Sequence, residues 1–113
     1  MMLIEKVILD FLVERLDVPV GLEKLSAQIG SYVVFEKTSG TKKNQIPSST
    51  FAFQSYAPSL YEATELNEQV KEAVEHLVLL DEISGIHLNS DYNFTDTSTK
   101  EYRYQAVFDI NHY

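Results

Sequence analysis

The pattern of hydrophobic and polar positions along the chain predicts two amphipathic helices. Over residues 2–16 the large apolar side chains recur at helical spacing, with charged residues on the other side. Pro19 and Gly21 then end the helix, and a short extended segment near residues 18–22 is predicted after it. The second helix is expected to begin at Ser59 or Leu60 and to run to about Leu80. Ser59 and Glu62 form a predicted capping box, in which each side chain satisfies one free backbone N–H of the first turn.

Four further segments have the composition or the alternation of β-strands. Residues 31–37 are rich in β-branched and aromatic side chains, and residues 50–56 alternate in a way that suggests a central strand covered on both faces. Apolar and tyrosine residues recur at a spacing of two in 86–94, with Ile86, Leu88, Ser90, Tyr92 and Phe94 on one predicted face. Residues 102–110 alternate most cleanly. The predicted class is α+β, a mostly antiparallel or mixed sheet of about four to five strands packed against two helices.

Residues 39–49 are expected to form a long, mobile hairpin loop. The segment reads Ser-Gly-Thr-Lys-Lys-Asn-Gln-Ile-Pro-Ser-Ser, so it has little to bury. Loops of this length in small domains are often functional. The 113 residues fit one domain, residues 1–113.

Charge narrows the range of partners. The formal net charge is -8, and residues 57–113 contain eleven acidic but only three basic groups. Binding to a phosphate backbone depends on Lys and Arg, so a nucleic-acid reader is disfavoured and no sequence-specific nucleic acid is expected. The acidic surface either keeps the protein soluble or fits a basic partner. Glu5 and Asp10 interrupt the apolar start and no apolar run approaches the roughly 20 residues of a membrane span, so we expect a cytosolic product without membrane contact.

Chemistry-bearing residues do not form a recognisable catalytic or metal motif. The chain has no cysteine, and His76, His87 and His112 are not spaced as ligands. Glu72, Glu75, Asp81 and Glu82 fit a solvated acidic helix face better than a carboxylate pair. No glycine-rich phosphate loop or nucleophile turn occurs. We therefore expect no cofactor, no metal and no enzymatic activity, although a site assembled from distant residues remains an alternative.

Seven tyrosines are the notable excess in composition. Tyr56, Tyr61, Tyr92, Tyr102 and Tyr104 lie near predicted strand ends or on strand faces. Most are expected to pack in the sheet, and some to face a neighbouring protein, where tyrosine is favoured.

The order of these segments resembles the tail terminator proteins of long-tailed bacteriophages, also called tail-completion or head-tail joining proteins. In that family a strand ending in Gln and an aromatic or small residue enters a helix with Ala and Leu, and a late Asp precedes an Arg-Tyr-Gln strand. The matching positions here are Gln54, Ala63, Leu66, Asp96, Arg103, Tyr104 and Gln105. The resemblance covers nearly the whole chain and lies in the order and spacing of these positions.

The resemblance implies a non-enzymatic structural protein that caps the completed tail tube as a ring, in this family a hexamer. Its implied partners are other copies of itself, the major tail tube protein and the head-tail connector protein. The implied location is the virion tail, and the host cytoplasm during assembly. Candidate interface residues are Lys42, Lys43, Gln54, Tyr56, Glu65, Glu68, Glu72 and Arg103.

Two hypotheses compete with this role. The first is another small head-tail connector or minor tail protein, or a cytosolic α+β domain that binds proteins as a monomer or dimer. The second is an enzyme, which requires a deep pocket where His76 or His87 approaches a carboxylate.

Overall fold

Two helices cover one side of a five-stranded mixed sheet in a computed structural model of the protein, which describes residues 3–23, 30–43 and 46–113. The side chains of residues 41–43 and 46 are outside this description. The predicted α+β class is confirmed. The helices are α1 (Ile4–Arg15) and α2 (Leu60–Glu75), with a 3-10 turn at His76–Leu79; the strands are β1 (Val20–Gly21), β2 (Tyr32–Lys43), β3 (Ile46–Ala57), β4 (Ile83–Asn93) and β5 (Tyr102–His112).

The strand order β1-β2-β3-β5-β4 places β3 in the centre of the sheet. β1 pairs with β2 in parallel, and the other neighbouring pairs are antiparallel. On the helix side of β3, Phe51 and Phe53 are fully buried, and on the other side Ala52 and Tyr56 are also buried. The prediction of a central strand covered on both faces is therefore confirmed.

The main core lies between the sheet and the two helices. Phe53 makes an edge-on contact with Phe108 of β5 at 5.9 Å between ring centroids. Burial of these apolar side chains is the main favourable term for a chain of this size. The helices contribute apolar residues at helical spacing: Ile4, Ile8, Leu12, Leu66, Val70, Ala73 and Val74.

The start of α2 is capped as predicted, with one difference. The Ser59 hydroxyl accepts a hydrogen bond from the Glu62 backbone N–H at 3.2 Å. The Glu62 carboxylate, expected to bind a backbone N–H, instead accepts the Ser59 hydroxyl at 3.1 Å. A carboxylate in the first turn also interacts favourably with the positive end of the helix.

The long loop predicted over 39–49 is wrong, because this segment is paired strand. β2 and β3 pair from Tyr32↔Tyr56 through to Lys43↔Ile46, so only residues 44 and 45, outside the description, lie between them. A backbone ladder needs no apolar side chains, and β5 supports β3 as far as Ser48↔Asn111. Pro47 has no N–H to donate, but it lies where pairing with β5 has already ended. A polar composition is therefore compatible with a paired hairpin, and composition alone could not distinguish this hairpin from a loop.

The strand predicted from the spacing of two in residues 86–94 is present as β4, but its residues do not share one face, because β4 contains a bulge. Leu88 pairs with Phe108, whose side chain is in the core, whereas Tyr92 pairs with Gln105 on the side away from the helices. The register shifts between Leu88 and Ser90. One extra residue in a strand exchanges the two faces of everything that follows it.

Candidate functional site

The structure places the predicted interface residues in three separate regions. Gln54, Tyr56 and Arg103 meet on the sheet face away from the helices. The exposed carboxylates Glu65, Glu68 and Glu72 lie on α2, on the other side of the sheet. Lys42 and Lys43 lie at the end of the β2–β3 hairpin, ten β3 positions from Tyr56, or about 33 Å at 3.3 Å per residue.

The first region is a cluster on the open sheet face, which we name the Tyr–Arg cluster. Strand register brings its members side by side, since Tyr32 lies opposite Tyr56, which lies opposite Arg103. In the next row Gln54 lies opposite Gln105, and Gln105 lies opposite Tyr92. The Tyr–Arg cluster consists of Tyr32, Gln54, Tyr56, Tyr92, Phe94, Arg103 and Gln105.

Arg103 anchors the cluster at the end of the sheet where β3 leads into α2. Its Nε donates to the Phe94 carbonyl oxygen at 2.6 Å, and one terminal nitrogen donates to the Tyr56 hydroxyl at 3.0 Å. The guanidinium carbon lies 4.4 Å from the centre of the Phe94 ring and 5.7 Å from that of Tyr56. Tyr56 in turn stacks on Tyr32, with ring centroids 4.6 Å apart and planes within 6°. A planar cation between rings is held more firmly than a flexible ammonium would be.

A chain of hydrogen bonds continues from Arg103 across three strands. The Tyr56 hydroxyl donates to Gln54 Oε1 at 3.2 Å, Gln54 Nε2 donates to Gln105 Oε1 at 2.9 Å, and Gln105 Nε2 donates to the Tyr92 hydroxyl at 2.5 Å. Every bond points the same way, away from the cation, so each polarises the next. Within the described part of the chain, the Tyr92 hydroxyl proton has no acceptor. Tyr92 is 41% exposed, so this proton is available to an acceptor on another molecule.

Sequence reasoning named three members of this cluster as interface residues and missed four. Gln105 and Tyr92 were visible as a family position and as a strand tyrosine, but their contact with Gln54 depends on the register of three strands. Tyr32 and Phe94 carried no signal beyond their aromatic character. Cross-strand register is set by tertiary pairing, so one sequence could not reveal it.

The second region is the acidic face of α2. Lys71 is the one cation of this helix, and its Nζ lies 2.7 Å from Asp91 Oδ2 and 2.9 Å from Glu68 Oε1. The hydrogen bonds that Lys71 donates to Asp91 and then to Glu68 raise the pKa of Lys71 above its ordinary value. Lys71 is thus already engaged, and Glu65, Glu72 and Glu75 have no ion-pair partner among the described residues. The acidic face consists of the exposed Glu62, Glu65, Glu68, Glu72 and Glu75.

A groove of about 340 Å³ adjoins the acidic face. It lies between α2 and β4 and is lined by Glu68, Gln69, Lys71, Glu72, Glu75 and Leu88, so three carboxylates face one lysine. Leu88 is 37% exposed there. The groove therefore combines carboxylates with apolar surface, which suits the long apolar stem and charged head of a lysine.

The third region is the outer part of the β2–β3 hairpin, which we name the arm and define as residues 37–43 and 46–48; β5 supports it as far as Ser48. Side chains of β2 are buried from Tyr32 to Phe35 and exposed from Glu36 to Gly40, so the strand leaves the core abruptly. β1 covers only Val33 and Val34 on the outer edge of β2. The arm contains three lysines, and no Asp or Glu occurs from residue 37 to residue 50.

The histidines lie in three different environments. His76 lines an open groove of about 290 Å³ together with Arg15, Asp17 and Glu72. His87 is exposed on β4 opposite Asp109, and His112 Nε2 lies 3.1 Å from the Ser49 hydroxyl oxygen. Among the described residues no group of three or more His, Asp or Glu side chains could hold a metal ion. For the enzyme hypothesis, the groove beside His76 brings a histidine and the carboxylates Asp17 and Glu72 into one lining.

Comparison with known proteins adds no relative. No family model matches the chain, and no curated protein is similar to it. The likeness to tail terminators thus rests on the residues quoted above, and it stays a prediction. None of the helices in the described ranges is long and apolar enough to span a membrane.

Proposed function

We propose that this protein caps the completed tail tube of a long-tailed bacteriophage as a ring and provides the joining surface for the head connector. Its role is structural, without catalysis, and its place is the virion tail after assembly in the host cytoplasm. The ring is a hexamer in the family that the sequence resembles, and the major tail tube protein is the second partner.

The observation that carries this proposal is that one subunit presents two unlike surfaces on opposite sides of its sheet. The Tyr–Arg cluster is aromatic and hydrogen-bonded, whereas the acidic face of α2 is charged. A closed ring is built from heterologous contacts, so each subunit needs two different patches that match each other or a third molecule. A subunit with two such patches suits a ring better than a two-fold dimer, which uses one patch twice.

The Tyr–Arg cluster suits a protein contact for a separate reason. Tyr and Arg are enriched at the centres of interfaces, because they cover a large area and lose little side-chain freedom when already held in place. Tyr56 is only 5% exposed and acts as the support of Arg103, so the surface open to a partner is the half-buried Arg103 with the exposed rings of Tyr92 and Phe94. Arg103 is already held by its contacts with Tyr56, so docking would cost little additional entropy. The free donor of Tyr92 offers a partner one directed hydrogen bond.

The runner-up is a cytosolic protein-binding domain that works as a monomer or dimer. The same Tyr–Arg cluster would then be its binding surface. Assembly mass separates the two roles.

The test is the mass of the particle in solution, measured by mass photometry and sedimentation, with and without the major tail tube protein from the same genome. The proposal predicts a ring, either alone or once tube protein is present. A monomer or dimer that ignores assembled tubes would refute it. The proposal predicts that the gene lies between head-connector genes and a major tail protein gene, and that neighbouring gene would supply the tube protein for the test.

A further inference from the structure

We infer that the arm of one copy docks into the groove between α2 and β4 of the next copy, with arm lysines against Glu72 and Glu75. This inference rests on the proposed function, because it assigns the acidic face and its groove to a contact between neighbours in the ring and names the arm as the patch that meets them.

The arm is built to reach another molecule. The last pair between β3 and β5 is Ser48↔Asn111, yet β2 and β3 remain paired at Lys42↔Pro47 and Lys43↔Ile46. These last two pairs of the hairpin therefore lie past the strand that supports it, and the outer edge of β2 has no described neighbour beyond Val34. Exposed strands usually avoid such isolation unless another surface covers them.

The groove is built to receive positive charge. Glu72 and Glu75 lie in the last turn of α2, where no basic residue occurs. This end of a helix carries the negative pole of the dipole and favours cations, so two carboxylates there are unfavourably placed in the isolated subunit. Glu72 and Glu75 are also three residues apart on one helix face, where like charges repel, and neither has an ion-pair partner among the described residues. A lysine from outside would relieve both effects.

A second copy of this chain is the occupant that the charges select. The arm is the one basic segment in a chain of net charge -8, and the acidic residues are concentrated in the second half of the same chain. Arm and groove are different patches, so their contact is heterologous and repeats from subunit to subunit.

Docking through side chains fits the edges better than strand addition does. β2 carries a register shift between Lys37 and Ser39, and β4 carries two, at Ile83/Gly85 and Leu88/Ser90. Bulges and lysines on edge strands are the usual means of preventing strands from adding to each other. The edges are thus protected, while the groove remains open.

The experiment uses two charge-reversal variants of the full chain, K42E/K43E in the arm and E72K/E75K in the groove, and their combination K42E/K43E/E72K/E75K. Self-association is measured by sedimentation and cross-linking at about 50 mM and about 500 mM salt, with and without tube protein. K42E/K43E and E72K/E75K should each associate about tenfold more weakly than wild type at low salt. The difference should shrink at high salt, because exposed charges are then screened. The combined variant, with an acidic arm and a basic groove, should recover association.

A mixture of two variants gives a sharper readout. K42E/K43E has an acidic arm and an acidic groove, whereas E72K/E75K has a basic arm and a basic groove, so neither matches itself. Mixed in equal amounts, they match each other and should form a closed ring of alternating subunits. Alternation closes only for an even number of subunits, which a hexamer satisfies.

The matched control is E14K/E23K, which replaces two exposed glutamates outside α2 and changes the net charge by the same amount as E72K/E75K. It should associate like wild type. Thermal unfolding checks that E72K/E75K is folded. Its midpoint should equal or exceed that of wild type, because two cations at the C-terminal end of α2 interact favourably with the helix dipole. Loss of association in this variant is then due to the changed charges and not to unfolding.

The inference is overturned if K42E/K43E associates like wild type at low salt, or if E14K/E23K loses association to the same extent as E72K/E75K. If the wild-type chain associates through arm and groove but does not bind tube ends, the inference holds and the proposed function is refuted. A wild-type chain that stays monomeric under every condition would overturn both.

Discussion

Replacing Arg103 tests whether the Tyr–Arg cluster is a rigid, cooperative unit. R103A removes two charge-assisted hydrogen bonds, of 2.6 Å to the Phe94 carbonyl and 3.0 Å to the Tyr56 hydroxyl, and a cation–π contact at 4.4 Å. Each such bond contributes about 1 kcal/mol or somewhat more, and the ring contact about 0.5–1 kcal/mol. The free energy of unfolding should therefore fall by about 2–3 kcal/mol. R103K, which keeps the charge but not the planar fork, should lose about 1–2 kcal/mol.

The assay is urea unfolding followed by far-UV circular dichroism and tyrosine fluorescence. The midpoint should fall by about 1–2 M for R103A with an unchanged slope, since the surface exposed on unfolding stays the same. Y56F removes only the hydroxyl, and the double variant R103A/Y56F should show a coupling energy of about 1 kcal/mol, because the two side chains share one hydrogen bond. An R103A variant within about 0.5 kcal/mol of wild type, or strict additivity with Y56F, would refute the idea of a cooperative cluster.

Three further changes test other parts of the fold. S59A removes the cap of α2 and should cost about 1 kcal/mol in urea unfolding, whereas S84A, at an exposed serine, should stay within about 0.5 kcal/mol. N67D places a carboxylate at a fully buried position, where Asn67 Nδ2 donates to Asp91 Oδ2 at 3.3 Å. The free energy of unfolding should fall by about 2–4 kcal/mol at pH 7 and by less at pH 4, where the new carboxylate is partly protonated. An unchanged free energy of unfolding would contradict the reported contact. The pKa of Lys71 is raised in the folded state. The charged lysine therefore stabilises the fold fully at a pH below its ordinary pKa of 10.5, and this contribution is lost as the pH rises beyond 10.5. K71M should therefore be less stable at pH 8 and should show a flatter decline above pH 10.5; an identical alkaline decline in both proteins would count against the ion pairs.

The helices and the central strand could be predicted because their signals are local. Ile8 and Leu12 recur at helical spacing and are fully buried, and Phe51 and Phe53 alternate on β3 and are fully buried. Ser59 marks the start of α2 because a cap is a short-range interaction. In each case the physical cause lies within a few residues of its effect.

The arm and the bulge in β4 could not be predicted because their causes are distant in sequence. Residues 39–43 are strand because residues 46–50 pair with them, although neither segment has a hydrophobic pattern. Tyr92 faces away from the core because the register shifts between Leu88 and Ser90, and nothing in that tripeptide distinguishes a bulge from regular strand. The Tyr–Arg cluster depends on this bulge and on the register of three strands, and it therefore became visible only in three dimensions.

Electron microscopy of assembled tail tubes, with this protein added and carrying a small visible fusion or gold label, tests the central claim most directly. The account predicts a ring at one end of each tube, and tubes that stop growing when it is bound. Label distributed along the tubes or absent from them, together with unchanged tube growth, would contradict a capping role.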